Sequence, residues 1–387
     1  MKSFSNNPKY PLVIHPFGDV NAVWFKRSRS FLLMEEPAFF VLQEFLNGKD
    51  TVSIKKNCRK KFGSLEADTD VFVDEIMEYI NQLNKVKTGN QVSGKNTAKN
   101  THVPFNLNLK KFYVFGKTVI RIDYHDEWLQ HLVHPSFKHL ETGIESVPKY
   151  HVCCFRTDNL FVVTLNGKTV EAFDFQEEEY YKGAVSQLIY SIIYKKSFTG
   201  WMCTLHASGV YHNNKAIIFS AAAGSGKSTV AAILKANGTG YISDDFIAAT
   251  PNGNVYPFPA SISVKEGAVH ILSSFYSEMN EKVLVKASTG KMVRYLPVNN
   301  FSESLLNGIP VTGFIFVSYQ AESGFNLSEV GKKEALQLLL KEAWVNPKTS
   351  FIQAFFTWVE QTPFYRMAYS DNEKMISTIK KLLEYER

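Results

Sequence analysis

The stretch from Ala216 to Gly238 constrains the fold more than any other part of the chain. Ala216-Ile217-Ile218-Phe219-Ser220 is apolar without alternation, so it reads as a strand buried on both faces. It runs into Ala221-Ala222-Ala223-Gly224-Ser225-Gly226-Lys227-Ser228-Thr229. Val230-Ala231-Ala232-Ile233-Leu234-Lys235-Ala236 then reads as a helix that Asn237-Gly238 stops. Strand, glycine loop, Lys-Ser and helix in this order are the context a phosphate-binding loop requires, and they point to an α/β (mixed α+β) fold.

Each part of the loop has a chemical reason. Successive backbone N–H groups at a helix N-terminus cradle phosphate oxygens with the help of the helix dipole. Gly224 and Gly226 permit the backbone dihedrals and the close approach. Lys227 is placed to reach the β- and γ-phosphates, and Ser228 to give its hydroxyl oxygen to Mg²⁺. Ala223, Gly224, Ser225, Gly226, Lys227, Ser228 and Thr229 are therefore the candidate nucleotide-binding residues, with ATP and Mg²⁺ as the expected cofactors. The usual pattern is GxxxxGK[ST], and Ala221 stands at its first position. Alanine fits there if its φ is negative. A ligand-free Ala/Gly/Ser-rich turn is the bland alternative.

Gly240-Tyr241-Ile242-Ser243 reads as a return strand beside the loop strand, ending in Asp244 and Asp245. Both acids then reach the carboxyl edge of the sheet, near the phosphates. Two neighbouring acids can divide the work: one ligates Mg²⁺ and the other accepts a proton from an attacking hydroxyl. An Asp-Asp turn or helix cap is the alternative. His206, in the strand-like run Leu205-His206-Ala207-Ser208-Gly209-Val210, would alone be a core histidine; its spacing to the loop gives it a meaning below.

Composition narrows the class. Hydrophobic residues make up 45% of the chain and charged residues 21%, which suits a folded protein. No apolar run approaches the ~18–20 residues of a membrane span, so no membrane partner is expected. The first eight residues lack the apolar core of a secretory signal. Cys58, Cys153, Cys154 and Cys203 show no metal spacing and read as reduced core residues of a cytoplasmic protein. His131, His134 and His139 lack a completing ligand pattern and read as surface or core residues.

The net charge of +6 is informative once located. Residues 1–84 and 112–387 are each charge-balanced, and the excess is Lys85, Lys87, Lys95, Lys99, Lys110 and Lys111. This argues against nucleic acid as a partner of either folded part. The polar run from Lys85 to about Thr101 cannot bury a core and reads as a flexible linker. The domains are then 1–84, a linker at 85–103, and a body at 104–387.

The N-terminal module reads as short strands (Leu12 to His15, Val23 to Lys26, Phe31 to Leu33) and three helices. The first carries Ala38, Val41, Leu42, Phe45 and Leu46 and is closed by Gly48; the second, from Asp50 or Thr51, carries Ile54, Cys58 and Phe62; the third runs from about Leu65 to Leu83 with Phe72, Ile76, Ile80 and Leu83 inward. This is a winged-helix-like pattern. Phe31-Leu32-Leu33, Val41 to Gly48, the helix ending near Phe62 and Phe72-Val73-Asp74-Glu75-Ile76 together resemble the PqqD family, small domains that bind the leader of a ribosomal precursor peptide. The resemblance covers about residues 10–84 and implies leader capture by strand addition near Val23 to Leu33. A generic winged helix for nucleic acid or dimerisation is the alternative.

His206, the glycine loop and Asp244-Asp245, at 21 and 17 residues on either side of Lys227, resemble the catalytic domain of HPr kinase/phosphorylase, whose fold is related to phosphoenolpyruvate carboxykinase. The resemblance extends over most of 104–387. It implies that Asp244 is the base toward a serine hydroxyl, that Asp245 assists the metal with Ser228, and that His206 lies against the phosphates and acids. The body otherwise reads as strands at Val114 to Ile122 and His151 to Phe175 (antiparallel, turning at Asn166-Gly167), helix Glu179 to Lys195, strands Ser261 to Val264 and Val311 to Tyr319, helices Lys332 to Trp344 and Phe351 to Val359, strand Phe364 to Tyr369 and helix Asn372 to Tyr385. The second glycine-rich signature of HPr kinase proper, R-G-L-G-I-I-N, is missing. Gly290-Lys291-Met292-Val293-Arg294 stands in its place, with Arg294 and then Lys291 as candidate charge-neutralising cations or solvated loop residues. HPr is thus not the expected substrate.

The expected function is a kinase acting on a Ser/Thr hydroxyl of a precursor peptide held by residues 1–84. A tether of ~15–20 residues gives a roughly millimolar effective concentration. A small-molecule hydroxyl kinase, a nucleotide-gated peptide-binding adaptor and a bare ATPase are the alternatives. The reverse, dephosphorylating reaction and a homo-oligomer, as HPr kinases form, stay open.

Overall fold

An antiparallel meander opens the chain: β1 (Leu12–Phe17), β2 (Val20–Phe25) and β3 (Ser30–Met34), in that spatial order. The β1–β2 hairpin pairs Phe17 with Val20, leaving a two-residue loop whose Gly18 takes a left-handed φ of 63°. The computed structural model describes residues 9–63, 68–85, 107, 109–143, 148–157, 159–174, 178–222, 224–244, 246–287, 290–298 and 303–384. The linker expected at 85–103 lies, after Lys85, outside them.

Three helices follow, close to the expected spans. α1 (Glu36–Leu46) buries Val41 and Leu42. α2 (Thr51–Phe62) buries Ile54 and Cys58, and its N-cap Asp50 accepts the Ser53 N–H at 2.8 Å. That bond holds the Asp50 carboxyl below its ordinary range. α3 (Thr69–Leu83) starts after the cap residue Asp68, later than the expected Leu65, which lies outside the described residues. Its fully buried positions are Val73 and Ile80, with Phe72 and Ile76 only partly covered. Leu12, Val23, Phe25, Met34, Leu42 and Ile80 form one core of this region.

The chain divides into two compact units. The first joins the described part of Met1–Asn90 to Val330–Lys341 and Val345–Thr362; the second holds the rest. The sequence reading has a single break, at the linker, and does not anticipate that residues 330–362 return to the first unit.

In the second unit, β4 (Leu109–Phe115), β5 (Thr118–Tyr124), β6 (Tyr150–Arg156), β7 (Leu160–Leu165) and β8 (Lys168–Asp174) form a five-stranded sheet in chain order. The stretch Val114 to Ile122, expected as one strand, is a hairpin turning at Gly116, whose φ is 59°. β5 and β6 are parallel rather than antiparallel, because α4 (Glu127–Phe137) carries the chain back between them. The β7–β8 turn at Asn166-Gly167, with φ of 49° and 77°, is the expected one. α5 (Glu178–Tyr194) follows.

The second sheet of this unit is assembled from β9 (Cys203–Leu205), β10 (Ala207–His212), β11 (Lys215–Ser220), then, after α6 (Lys227–Ala236), β12 (Gly240–Ser243), β13 (Ile247–Ala249) and β14 (Asn254–Val255). A small separate sheet holds β15 (Ile262–Lys265), β16 (Val285–Lys286) and β17 (Met292–Leu296) in the order β15-β17-β16, with α7 (Glu266–Leu272) between the first two in sequence. β18 (Ile309–Tyr319), β19 (Phe325–Glu329), α8 (Lys332–Leu339), β20 (Ala343–Val345), α9 (Thr349–Gln361), β21 (Phe364–Tyr369) and α10 (Asn372–Glu384) complete the chain. The large sheet runs β12-β10-β11-β18-β14-β13-β9-β20, with β21 beside β18 and β19 beside β21. α6 and α10 pack on it through Val230, Ile233, Leu234, Met375, Ile379 and Leu383. The helix expected over Lys332 to Trp344 stops at Leu339: its buried stripe ends there, Trp344 is 66% exposed, and the chain extends as β20.

The molecule is thus mixed α/β, with several sheets and ten α-helices among the described residues. No helix among them is long and apolar enough to cross a membrane.

Candidate active site

β11 and β12 are each antiparallel to β10, so they run in the same direction and end at the edge where β10 begins. Ser220 lies opposite Ala207 and Ser243 opposite Gly209. The loop after β11, Asp244 after β12 and His206 before β10 therefore meet at one edge. The expected placement of β12 beside the loop strand is corrected here: β10 lies between them. Sheet order is a matter of non-local pairing, which a strand's own sequence does not carry.

The loop has the backbone that its glycines suggest. Gly224 and Gly226 take φ of 91° and 99°, a left-handed region costly to other residues. A Cβ on Gly226 would lie 3.4 Å from Tyr369 Oη and 3.5 Å from Tyr319 Cβ. The Tyr319 N–H donates to Ser225 O at 3.2 Å, so the end of β18 braces the loop. Burial pushes the Tyr369 phenol well above its ordinary value, keeping it a neutral wall. Gly226 is the N-cap of α6 and offers no side chain to its first-turn amides, the groups an anion would engage. Lys227 is 6% exposed, and its Nζ donates to Ala221 O. Ala221 thus serves through its carbonyl. Thr229 follows in the first turn of α6, and Ala223 lies outside the described residues.

Asp244 collects donors from three elements. Ser228 Oγ, on α6, donates to its Oδ1 at 2.8 Å, and Ser208 Oγ, on β10, donates to the same oxygen at 2.6 Å. The Ser263 N–H, on β15, points to Oδ2 at 3.4 Å. Ser208 is completely buried, and the sequence reading missed it as it missed Ser263. The signal for Ser208 was a polar residue inside an apolar strand, two positions after His206. The Asp244 carboxylate and the Ser208 and Ser228 hydroxyls are oxygen groups, the kind a hard cation such as Mg²⁺ takes together with phosphate and water. No cluster of three His, Cys, Asp or Glu side chains suited to a metal occurs among the described residues. Asp245, the expected metal residue, lies outside them.

His206 is held from another direction. Its N–H donates to Glu342 O at 2.8 Å, and its Nδ1 lies 3.4 Å from Glu342 Oε2. It separates β9 from β10, which occupy different places in the sheet, so the expected continuous strand Leu205 to Val210 is broken there. Arg294 sits on β17 opposite Val264, with Nη1 2.5 Å from Glu266 Oε2 at the start of α7. It is brought to the small sheet that supplies Ser263, and its guanidinium is engaged by Glu266. Lys291 is exposed ahead of β17. His134 Nδ1 lies 2.9 Å from Tyr113 Oη, His139 Nδ1 3.0 Å from Ser261 Oγ, and His131 Nε2 3.2 Å from Lys286 O.

No protein-family model matches the chain, and no curated protein matches it.

Proposed function

We propose that the chain is an ATP- and Mg²⁺-dependent kinase that phosphorylates a serine or threonine hydroxyl of a ribosomally made precursor peptide. In this reading the second unit is HPr kinase/phosphoenolpyruvate carboxykinase-like, and residues 1–84 are a PqqD-like, winged-helix-type leader-binding module. The observation that carries the proposal is the pair of serine hydroxyls on Asp244 Oδ1, one of them from Ser228 directly after the loop lysine. A nucleotide switch would use one carboxylate beside the loop serine for its metal; the second acid of the Asp244-Asp245 pair, which can then act as a base, is what supports phosphoryl transfer.

In the proposed step the loop amides and Lys227 hold the β- and γ-phosphates, with Lys227 leaving the Ala221 carbonyl to do so. Asp244, positioned through Oδ1 by Ser208 and Ser228, takes the acceptor hydroxyl proton at Oδ2. The hydroxyl oxygen bonds to the γ-phosphorus as the bridging P–O bond breaks and ADP leaves with that electron pair. Ser228 and Asp245 would hold Mg²⁺, which would supply charge neutralisation across the phosphates. For the leader we assign strand addition at β3, an edge of its sheet whose residues Ser30 to Leu33 all keep some exposure.

Intact-mass spectrometry of candidate precursor peptides incubated with the chain, ATP and Mg²⁺ tests the reading. It expects a phosphate-mass increment that Asp244→Asn abolishes and that weakens when the peptide's leader half is removed. An increment indifferent to the leader would move the assignment to a small-hydroxyl kinase. ATP binding without any increment would move it to the adaptor.

A further inference from the structure

The residue that holds His206 is absent from every motif in the sequence. Glu342 lies between α8 and β20, in the three-residue stretch Glu342–Trp344 that belongs to the second unit while the chain on both sides of it belongs to the first. It grips His206 twice, through its carbonyl on the backbone N–H (2.8 Å) and through its carboxylate beside Nδ1 (3.4 Å). The two side chains are only 33% and 22% exposed, so solvent screens the pair incompletely.

We infer that Glu342 is a positioning residue for His206, setting both its place at the strand break and which ring nitrogen carries the proton. With Oε2 3.4 Å from Nδ1, the negative charge of the carboxylate favours a proton on that nitrogen over a lone pair. The neutral ring is then the Nδ1–H form, and Nε2 presents a lone pair to whatever it meets. A carboxylate that orients an imidazole in this way recurs in catalytic and metal sites. The backbone bond adds a constraint that rotation of the side chain cannot release. The inference rests on the kinase reading for the purpose of His206 and on geometry alone for the pairing.

The test uses the full chain labelled with ¹⁵N in its histidines, as wild type, Glu342→Ala and Glu342→Asp. NMR of the His206 ring nitrogens above pH 8 is expected to show the Nδ1–H form in the wild type, its loss in Glu342→Ala and its partial return in Glu342→Asp. Phosphate release from MgATP with water as acceptor is measured alongside. Its kcat is expected to fall about tenfold in Glu342→Ala while KM for MgATP stays within about twofold, as for loss of an outer-sphere partner of a functional histidine. A His206 tautomer unchanged in Glu342→Ala overturns the inference whatever the activity. A tautomer shift in a chain that neither binds nor cleaves MgATP upholds the pairing and overturns the kinase reading instead.

Discussion

Ser228 Oγ donates to Asp244 Oδ1 at 2.8 Å, joining the first turn of α6 to the end of β12 at the mouth of the glycine loop. The bond couples the residue expected on the metal to the residue expected to take the proton. Asp244→Asn removes the charge and keeps the shape, so the serines still find an acceptor and folding should change little. Because Asp244 is the proposed proton acceptor and the metal is given to Ser228 and Asp245, phosphoryl transfer should fall about 10²–10⁴-fold. Calorimetric titration should show MgATP affinity changed by less than about threefold. A MgATP affinity lowered about tenfold or more, with little change for ATP in EDTA, would move Asp244 to the metal side.

Gly226→Ala should disable the loop. The new Cβ meets a left-handed φ of 99°, a cost of about 1–2 kcal/mol, and two tyrosine neighbours at 3.4 and 3.5 Å. Thermal unfolding is expected a few degrees lower and nucleotide binding lost. Gly224→Ala has no neighbour within 4 Å and should show only the φ cost. A Gly226→Ala chain that binds nucleotide normally would show that the loop amides are not the phosphate cradle.

Removing residues 1–84 should not yield a well-behaved second unit. Phe355 and Phe356, on α9, are completely buried, and Phe356 stacks on His15 at 5.6 Å and meets Phe31 edge-on at 5.8 Å between ring centroids. Glu360 pairs with His15, and Lys333 with Glu35. Deletion strips these partners and uncovers a large aromatic surface. We expect aggregation or dye binding by the truncated chain in light scattering and fluorescence. A monodisperse truncated chain with an unchanged unfolding temperature would contradict the division into units. Leader dependence is therefore better tested on the peptide than by truncating the protein.

Local signals in the sequence suffice where local physics decides. The strand Phe364 to Tyr369, the Asn166-Gly167 turn and the glycine loop follow from periodicity and turn chemistry. What was missed depends on partners distant in the chain. The break at His206 is made by the Glu342 carbonyl, while the run Leu205 to Val210 gives no local reason to stop. β12 is separated from β11 by β10 because β10 accepts both as neighbours. α8 and α9 announce themselves by their apolar stripes, but a stripe does not name the surface it will cover. Among the candidate site residues, Ser228 and Asp244 stand out in the sequence by their places after the loop lysine and at a strand end, and the structure brings their side chains together. Ser208, Ser263 and Glu342 enter only through packing.

Stability should fall in mild acid for a reason located in the second unit. Burial lowers the proton affinity of His134, against a smaller opposing effect of Glu141, and burial likewise lowers that of His139. Both sit below the ordinary value of 6.5 when folded. The unfolded chain thus binds more protons in this range, and stability rises with pH. The contribution is complete above about pH 6.5, declines as pH falls through the interval down to the folded values, and is spent below them. Carboxylates such as Asp50 and Asp371, held below 3.8 by hydrogen bonds, act in a lower window, while Glu171, raised by burial, works with the opposite sign and shallows the decline. Urea midpoints at pH 7.5, 6.5 and 5.5 should decrease in that order. The slope should flatten in the His134→Gln, His139→Gln double variant even if the variant is less stable at every pH. A wild-type midpoint constant from pH 7.5 to 5.5 would mean that both imidazoles can be protonated without opening the structure around Tyr113 and Ser261.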